Sequence, residues 1–481
     1  MIYPTGLGRI TAVITASALF AGCSVNPTGS FRDVEGRVAS RTGKKLHWIR
    51  DGADAAAAQS AVRKLLLHRL NADSAAQVAL LNNRRLQSAF EEIGIAQADY
   101  VQAGIPRNPQ FAGHVDFSPA GKNYEYSAAT ELMNLLLLPL SKKIARSELE
   151  QTKMRVAAEV LALVAETKTA FYNLQARQQM LSRLKLIVGT NEAAADLSKR
   201  QHDAGNISDL DLADQQALYT ESRIDIAQTE AQIRRDRERL NRLMGVWGAD
   251  TNWKLGDELP EIPSSEISLA KLESKALEQR FDVAMARRNV EAIGLSRGLR
   301  AKTRFLPVQL NAGVHGERDY DSEGRRGPQI DVTLPIFDQG QAALAKLGAQ
   351  YRQAQNDLEA TAVEARSEVR EARDMVTANR ELARYYGQVL LPQRIQIVNQ
   401  TQLQYNAMQR GPVDLLLAKE RELNTERAYI EAWRDYWIAR AELEMAQKGG
   451  SPRGGSMRDR GGEASSQKNR GSQESQGGTN H

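Results

Sequence analysis

Two periodicities alternate along this chain, and each occurs twice. Apolar residues recur every seven positions at Leu212, Tyr219, Ile226, Ile233 and Leu240, and again at Leu416, Leu423, Ile430 and Trp437. From Val156 a 4-3 spacing runs through Val160, Leu163, Thr167, Ala170 and Leu174, breaks at Arg177, and resumes at Leu181, Leu184 and Val188. Sustained heptads with charged flanks predict helices packed as coiled coils. The stretch from Ser141 to Ala204 would be about 96 Å long if helical throughout, at 1.5 Å per residue. Elsewhere the period falls to two. Phe111, Val115 and Phe117 alternate with Ala112, His114, Asp116 and Ser118. Val308, Leu310, Ala312 and Val314 alternate with Gln309, Asn311, Gly313 and His315, and Ile330, Val332 and Leu334 with Gln329, Asp331 and Thr333. Such strands have one dry face and one wet face.

The order helix, strand, strand, helix, turn, helix therefore appears twice, which is an internal duplication. Repeat 1 is placed at 76–246, with strands at about 109–118 and 125–138 and a hairpin tip near Gly205. Repeat 2 is placed at 276–447, with strands at about 307–317 and 328–335 and a tip near Gly411. The second strand alternates poorly and is placed by its position in the repeat. Residues 247–275 connect the repeats. Pro139 and Pro335 fall where strand is expected to become helix, since proline suits a first helical turn. Gly205, in Asp203-Ala204-Gly205-Asn206, and Gly411, before Pro412, supply the chain reversals.

Strands with a continuous dry face need a cover. The flanking helices commit their apolar seams to one another, so the strands suit a transmembrane barrel. Four strands are too few to close one, and open edges are not tolerated in lipid, so closure requires several copies. The fold class that follows is mainly α with a membrane β-barrel contribution, built on the duplicated unit.

The ends carry separate signals. Ile10 to Gly22 is a short apolar run after Arg9, ending in Phe20-Ala21-Gly22-Cys23-Ser24. It is too short to span a bilayer and reads as a signal peptide, 1–22. The pattern resembles a bacterial lipobox, with Cys23, the only thiol, as the acylation site and Phe20 in place of the usual aliphatic residue. Ser24 resembles the outer-membrane sorting pattern. Residues 23–75 would form a lipid-anchored segment with a short helix. Residues 448–481 hold almost nothing apolar and are expected to be disordered. Of the formal charge of +5, Arg9 carries one and the tail three, which leaves +1 for the body. That balance gives no footprint for nucleic acid. A single cysteine excludes an internal disulfide framework and a thiolate zinc site.

The segments Ala79-Leu80-Leu81-Asn82-Asn83-Arg84-Arg85-Leu86 and Ile95-Ala96-Gln97-Ala98, the two strand–Pro–helix junctions and the run Tyr405 to Leu416, in this order and duplicated, resemble the TolC-like outer-membrane factor family, in its lipoprotein branch. The resemblance covers roughly 75–447. It implies a homotrimer with a 12-stranded β-barrel through the outer membrane of a Gram-negative bacterium and a long α-helical coiled-coil barrel in the periplasm. It implies a passive exit duct, with no cofactor and no catalytic residue, that takes cargo from an inner-membrane pump through a periplasmic adaptor protein. It also implies a gate at the hairpin tips, where the matching positions are Asp211, Tyr405, Arg410 and Asp414. A further acid found in some members is replaced here by Leu417. An aspartate just after a turn also stabilises a helix N-terminus, so both readings stay open for Asp211 and Asp414.

The remaining chemistry is sparse. His114 with Asp116, and His315 with Glu317, are weak metal candidates on the wet face, where a solvated lumen is the plainer reading. No nucleophile–base pair, phosphate loop or zinc-helix motif occurs, so an enzyme has no residues to support it. The favoured cargo is a small molecule or a heavy metal such as copper. The rivals are a type I protein secretion duct and a non-conducting coiled-coil envelope scaffold, against which the alternating strands count.

Overall fold

The computed structural model describes residues 26–119, 121–256, 258–263, 271–307, 309–318 and 323–450. Four helices come first: α1 (Thr28–Thr42), α2 (Gly52–Leu66), α3 (Ala72–Asn82) and α4 (Arg84–Gln102). Next are β1 (Gln110–Ser118), β2 (Gly121–Glu131), α5 (Leu132–Asp203) and α6 (Asp209–Met244). After α7 (Leu272–Gln279) the order recurs as α8 (Phe281–Thr303), β3 (Gln309–Arg318), β4 (Arg325–Thr333), α9 (Gln341–Tyr385), α10 (Leu391–Asn406) and α11 (Pro412–Lys448). A π-turn, Tyr386–Leu390, joins α9 to α10. Among the described residues no helix is long and apolar enough to cross a membrane.

The chain divides into two compact units. One holds Ala89–Val156 and Met285–Leu358 with the chain up to Gly36. Its centre is an antiparallel sheet in the order β1-β2-β3-β4. The other holds Arg37–Ser88, Ala157–Ala284 and the chain from Glu359.

The helical unit is built on the heptads. Val156, Val160, Thr167, Ala170, Leu174 and Leu184 are buried, as are Leu240, Leu423 and Ile430. The break at Arg177 is a polar tie: its Nε donates to Asp236 at 2.7 Å, and Nη1 bonds Gln232. The paired asparagines of the Leu81-Asn82-Asn83-Arg84 run brace the end of α6. Asn82 donates to the carbonyl of Gly245 and Asn83 to that of Leu243, at 2.7 and 2.8 Å. Asn83 also accepts from Arg85 and Leu86 N–H groups, which starts α4. Trp433 and Trp437 both donate to the Pro260 carbonyl, at 2.7 and 2.8 Å, and so anchor the connecting segment.

Three boundaries differ from the sequence expectation. β2 ends at Glu131, not near 138, and helix begins at Leu132. Leu135 to Leu138 are apolar at successive positions, which fits no strand alternation, and leucine favours helix. Pro139 therefore lies inside α5, where it cannot donate to the Leu135 carbonyl, and does not start the helix. Pro335 likewise lies after β4 and ahead of α9. That helix is started by Gly340, at φ +76°, whose N–H donates to Asp338 at 2.7 Å.

Candidate functional site

The two hairpin tips share one backbone design. In the first, Gly205 N–H donates to His202 and Asn206 N–H to Gln201, at 2.7 and 2.8 Å, with Gly205 at φ +75°. In the second, Met408 N–H donates to Tyr405 and Gln409 N–H to Gln404, both at 2.9 Å, with Met408 at φ +55°. Both are left-handed helix ends that satisfy the last carbonyls. The next helix starts three residues on, at N-caps Ser208 and Gly411. Gly411 thus corresponds to Ser208 and has φ −76°, while the left-handed residue of the second tip is Met408. The expectation that Gly411 makes the reversal is corrected here: its work is to start α11.

The tip side chains follow this frame. Asp211 accepts from the Ser208 hydroxyl at 2.7 Å and from its N–H at 3.2 Å. Those side-chain and backbone bonds hold its pKa below the ordinary carboxylate value. Asp414 stands at the same place and accepts from Gly411 N–H at 3.2 Å. Arg410 lies 3.5 Å from Asp414 and donates to Gln404 at 3.2 Å. The structure therefore joins Arg410 with Asp414, and gives both aspartates a role at their own helix start. Tyr405 and Leu417 are partly exposed nearby. Ser208, Gln404 and Met408 were missed in sequence. Ser208 carried a signal, because Ser-x-x-Asp is a capping pattern.

The sheet has an apolar and a polar face, with Lys122, Arg318 and Arg326 on the apolar side next to the two turns. Cross-strand partners share a face, so the register puts Phe111, Val115, Phe117, Tyr124, Tyr126, Leu310, Ala312, Val314, Ile330 and Val332 on one side. That side is uncovered: Phe111, Phe117 and Ile330 are 78%, 75% and 68% exposed. The other side is polar. Its central row is His114, Glu125, Glu317 and Arg325, one from each strand. His114 bonds Asp116 at 2.8 Å, and His315 lies 3.7 Å from Glu125 rather than pairing with Glu317. Glu125 and Arg325 join the candidates only through register. Among the described residues no three His, Cys, Asp or Glu side chains group as a metal site. Cys23 lies outside the described residues.

A sequence profile for outer membrane efflux proteins matches residues 75–246. The toluene efflux pump outer membrane protein TtgC of Pseudomonas putida is 25% identical over 384 residues, covering 73% of this chain and 75% of the relative. A membrane protein of Pseudomonas aeruginosa of known structure shares the fold, with a TM-score of 0.66 and 22% identity over 82% of this chain and 92% of that one. The outer membrane protein VceC of Vibrio cholerae does so with a TM-score of 0.62 and 17% identity, over 82% and 97%.

Residues 75–246 thus carry the pattern of outer membrane efflux proteins.

The chain resides in the outer membrane, with its helical part in the periplasm. Its fold joins a membrane β-barrel to an α-helical barrel. It is an efflux channel and not an enzyme. The two-faced sheet acquires its meaning here, as an apolar side suited to lipid and a polar side suited to a water-filled passage.

Proposed function

We propose that this efflux channel is the homotrimeric exit duct of a tripartite exporter for small molecules, loaded by an inner-membrane pump through a periplasmic adaptor. One observation carries the reading. The four-stranded sheet exposes a predominantly apolar face and ends in two unpaired edges, at β1 and β4. In lipid each unpaired backbone group costs several kcal/mol. Three copies edge to edge pair every strand in a barrel of twelve, with the His114–Glu125–Glu317–Arg325 rows lining the lumen. Acylation of Cys23 supplies a second hold on the membrane.

The hairpin tips form the closed end. Arg410, Asp414 and Tyr405 of three copies meet around one axis, where exchange of their bonds opens the aperture. Asp211 serves chiefly to start α6. Cargo is read as small organic molecules, on the likeness to a toluene efflux protein. The test has two parts. Native mass measurement of detergent-extracted protein should give a trimer, and a monomer with intact strands would overturn the architecture. Cells lacking the protein should accumulate aromatic solvents and retain normal tolerance to copper. The reverse pattern would make the cargo a metal, and loss of a secreted protein would make the duct a type I exporter.

A further inference from the structure

Away from the tips and the sheet, three segments of the helical unit line a half-open pocket of about 180 Å³. Its wall takes Arg41 from the end of α1, Lys44 from the extended chain that follows, Lys168 from α5, and Glu444 and Lys448 from the last turns of α11. Four cations thus converge. They are held in two different ways.

Lys44 and Lys168 have carboxylate partners. Lys44 Nζ lies 2.9 Å from Asp73, and Lys168 Nζ lies 3.4 Å from the same oxygen and 3.2 Å from Glu444. Both lysine side chains are largely enclosed, at 11% and 15% exposure. Desolvation would raise the Asp73 pKa, but these two lysines outweigh it and keep the carboxylate ionised. Arg41 and Lys448 are held by carbonyl dipoles. Lys448 Nζ donates to the Arg41 carbonyl at 3.0 Å. Arg41 donates to the carbonyls of Arg37 and Gln279, at 3.0 and 3.1 Å, and stacks 4.2 Å over the Phe281 ring. Its Nε is enclosed with no acceptor. Two carboxylates therefore face four cations, and the surplus charge lies on the Arg41–Lys448 side.

We propose that this pocket binds a small free oxyanion of the phosphate or sulfate class between Arg41 and Lys448. The anion supplies the charge that the carbonyls do not. Bound there, it ties the end of α11 to the end of α1. A ligand that binds only the folded state stabilises it by mass action.

The test uses full-length protein purified in detergent. Inorganic phosphate replaces chloride at constant ionic strength, and melting temperature and phosphorus line width are followed. A saturable rise in melting temperature with line broadening is expected, absent in chloride alone. Lys448→Gln should weaken phosphate affinity about tenfold, the loss of one charge-assisted bond, and Lys448→Arg should retain it. Lack of a saturable, phosphate-specific response in the unaltered protein overturns the proposal, as does unchanged affinity in Lys448→Gln. If that variant fails to fold, the titration of the unaltered protein still decides.

Discussion

Met408 stands in the second hairpin where Gly205 stands in the first. Each has a positive φ, each donates to the carbonyl three residues back, and each is followed three residues later by the next N-cap. The two copies share a backbone conformation, and only the first carries the residue type that adopts it freely. A left-handed conformation costs an L-residue about 1–2 kcal/mol, and glycine is spared that cost.

Met408→Gly should therefore stabilise the second tip by roughly 1 kcal/mol. Gly205→Ala should weaken the first by a similar amount, roughly 1 kcal/mol, through the backbone alone, since an added Cβ there meets nothing within 4 Å. Hydrogen exchange at the amides of Gln409 and Asn206 reads both. Equal exchange in parent and variant would show that the strain is absorbed elsewhere.

The first tip should respond to acid. Asp211 has a depressed pKa because Ser208 donates to its charged form. A carboxylate depressed in the folded state contributes stability above its unfolded value, which is lost as pH falls through the folded value. The start of α6 should thus fray below the ordinary aspartate value of 3.8. Ser208→Ala should move that onset to higher pH. Amide exchange in residues 209–212 across a pH series is the measurement.

Arg280 is the most deeply buried charged residue described in the helical unit. It is 2% exposed, bonds Asp282 at 2.6 Å and Glu368 at 2.8 Å, and reaches the Ala446 carbonyl at 3.3 Å. Arg280→Ala should cost about 3–5 kcal/mol, because it removes the buried cation that Asp282 and Glu368 share. Arg373→Ala, which removes an exposed pair with Asp374, should cost less than about 1 kcal/mol. Melting temperatures of the two variants separate the cases.

Strand pairing should fail at Gly313. A Cβ there would fall onto the Ala128 carbonyl oxygen in the neighbouring strand. Gly313→Val should leave helix content intact and abolish heat-resistant assembly in the membrane, as read by gel mobility with and without boiling. Gly327→Ala, with open space around its Cβ, should assemble normally.

At the second tip, Tyr405→Phe with Arg410→Ser removes the tie to Asp414 and that to Gln404. The purified channel should then conduct more in planar bilayers than the unaltered protein, without any adaptor. Equal conductance with assembly intact would mean that these side chains serve only their own helix ends.

The sequence by itself determined the periodic parts of this protein. Heptads through Leu174, Leu240 and Leu423 required packed helices, and alternation at Phe111–Phe117 and Ile330–Val332 required two-faced strands, because burial writes its period directly into neighbouring residues. Tertiary structure decided what depends on partners distant in sequence. Register, not spacing, put Glu125 and Arg325 beside His114 and Glu317. The charge of Arg280 gave no sign of its burial until α9 and the end of α11 closed over it. Leu132 to Leu138 carry no alternation, and Pro139, which local pattern places at a helix start, lies inside a helix. Met408 in a left-handed turn runs against local preference and is held there by the chain reversal between α10 and α11. Local pattern reports which face is dry, and only the assembled chain specifies which residues meet across it.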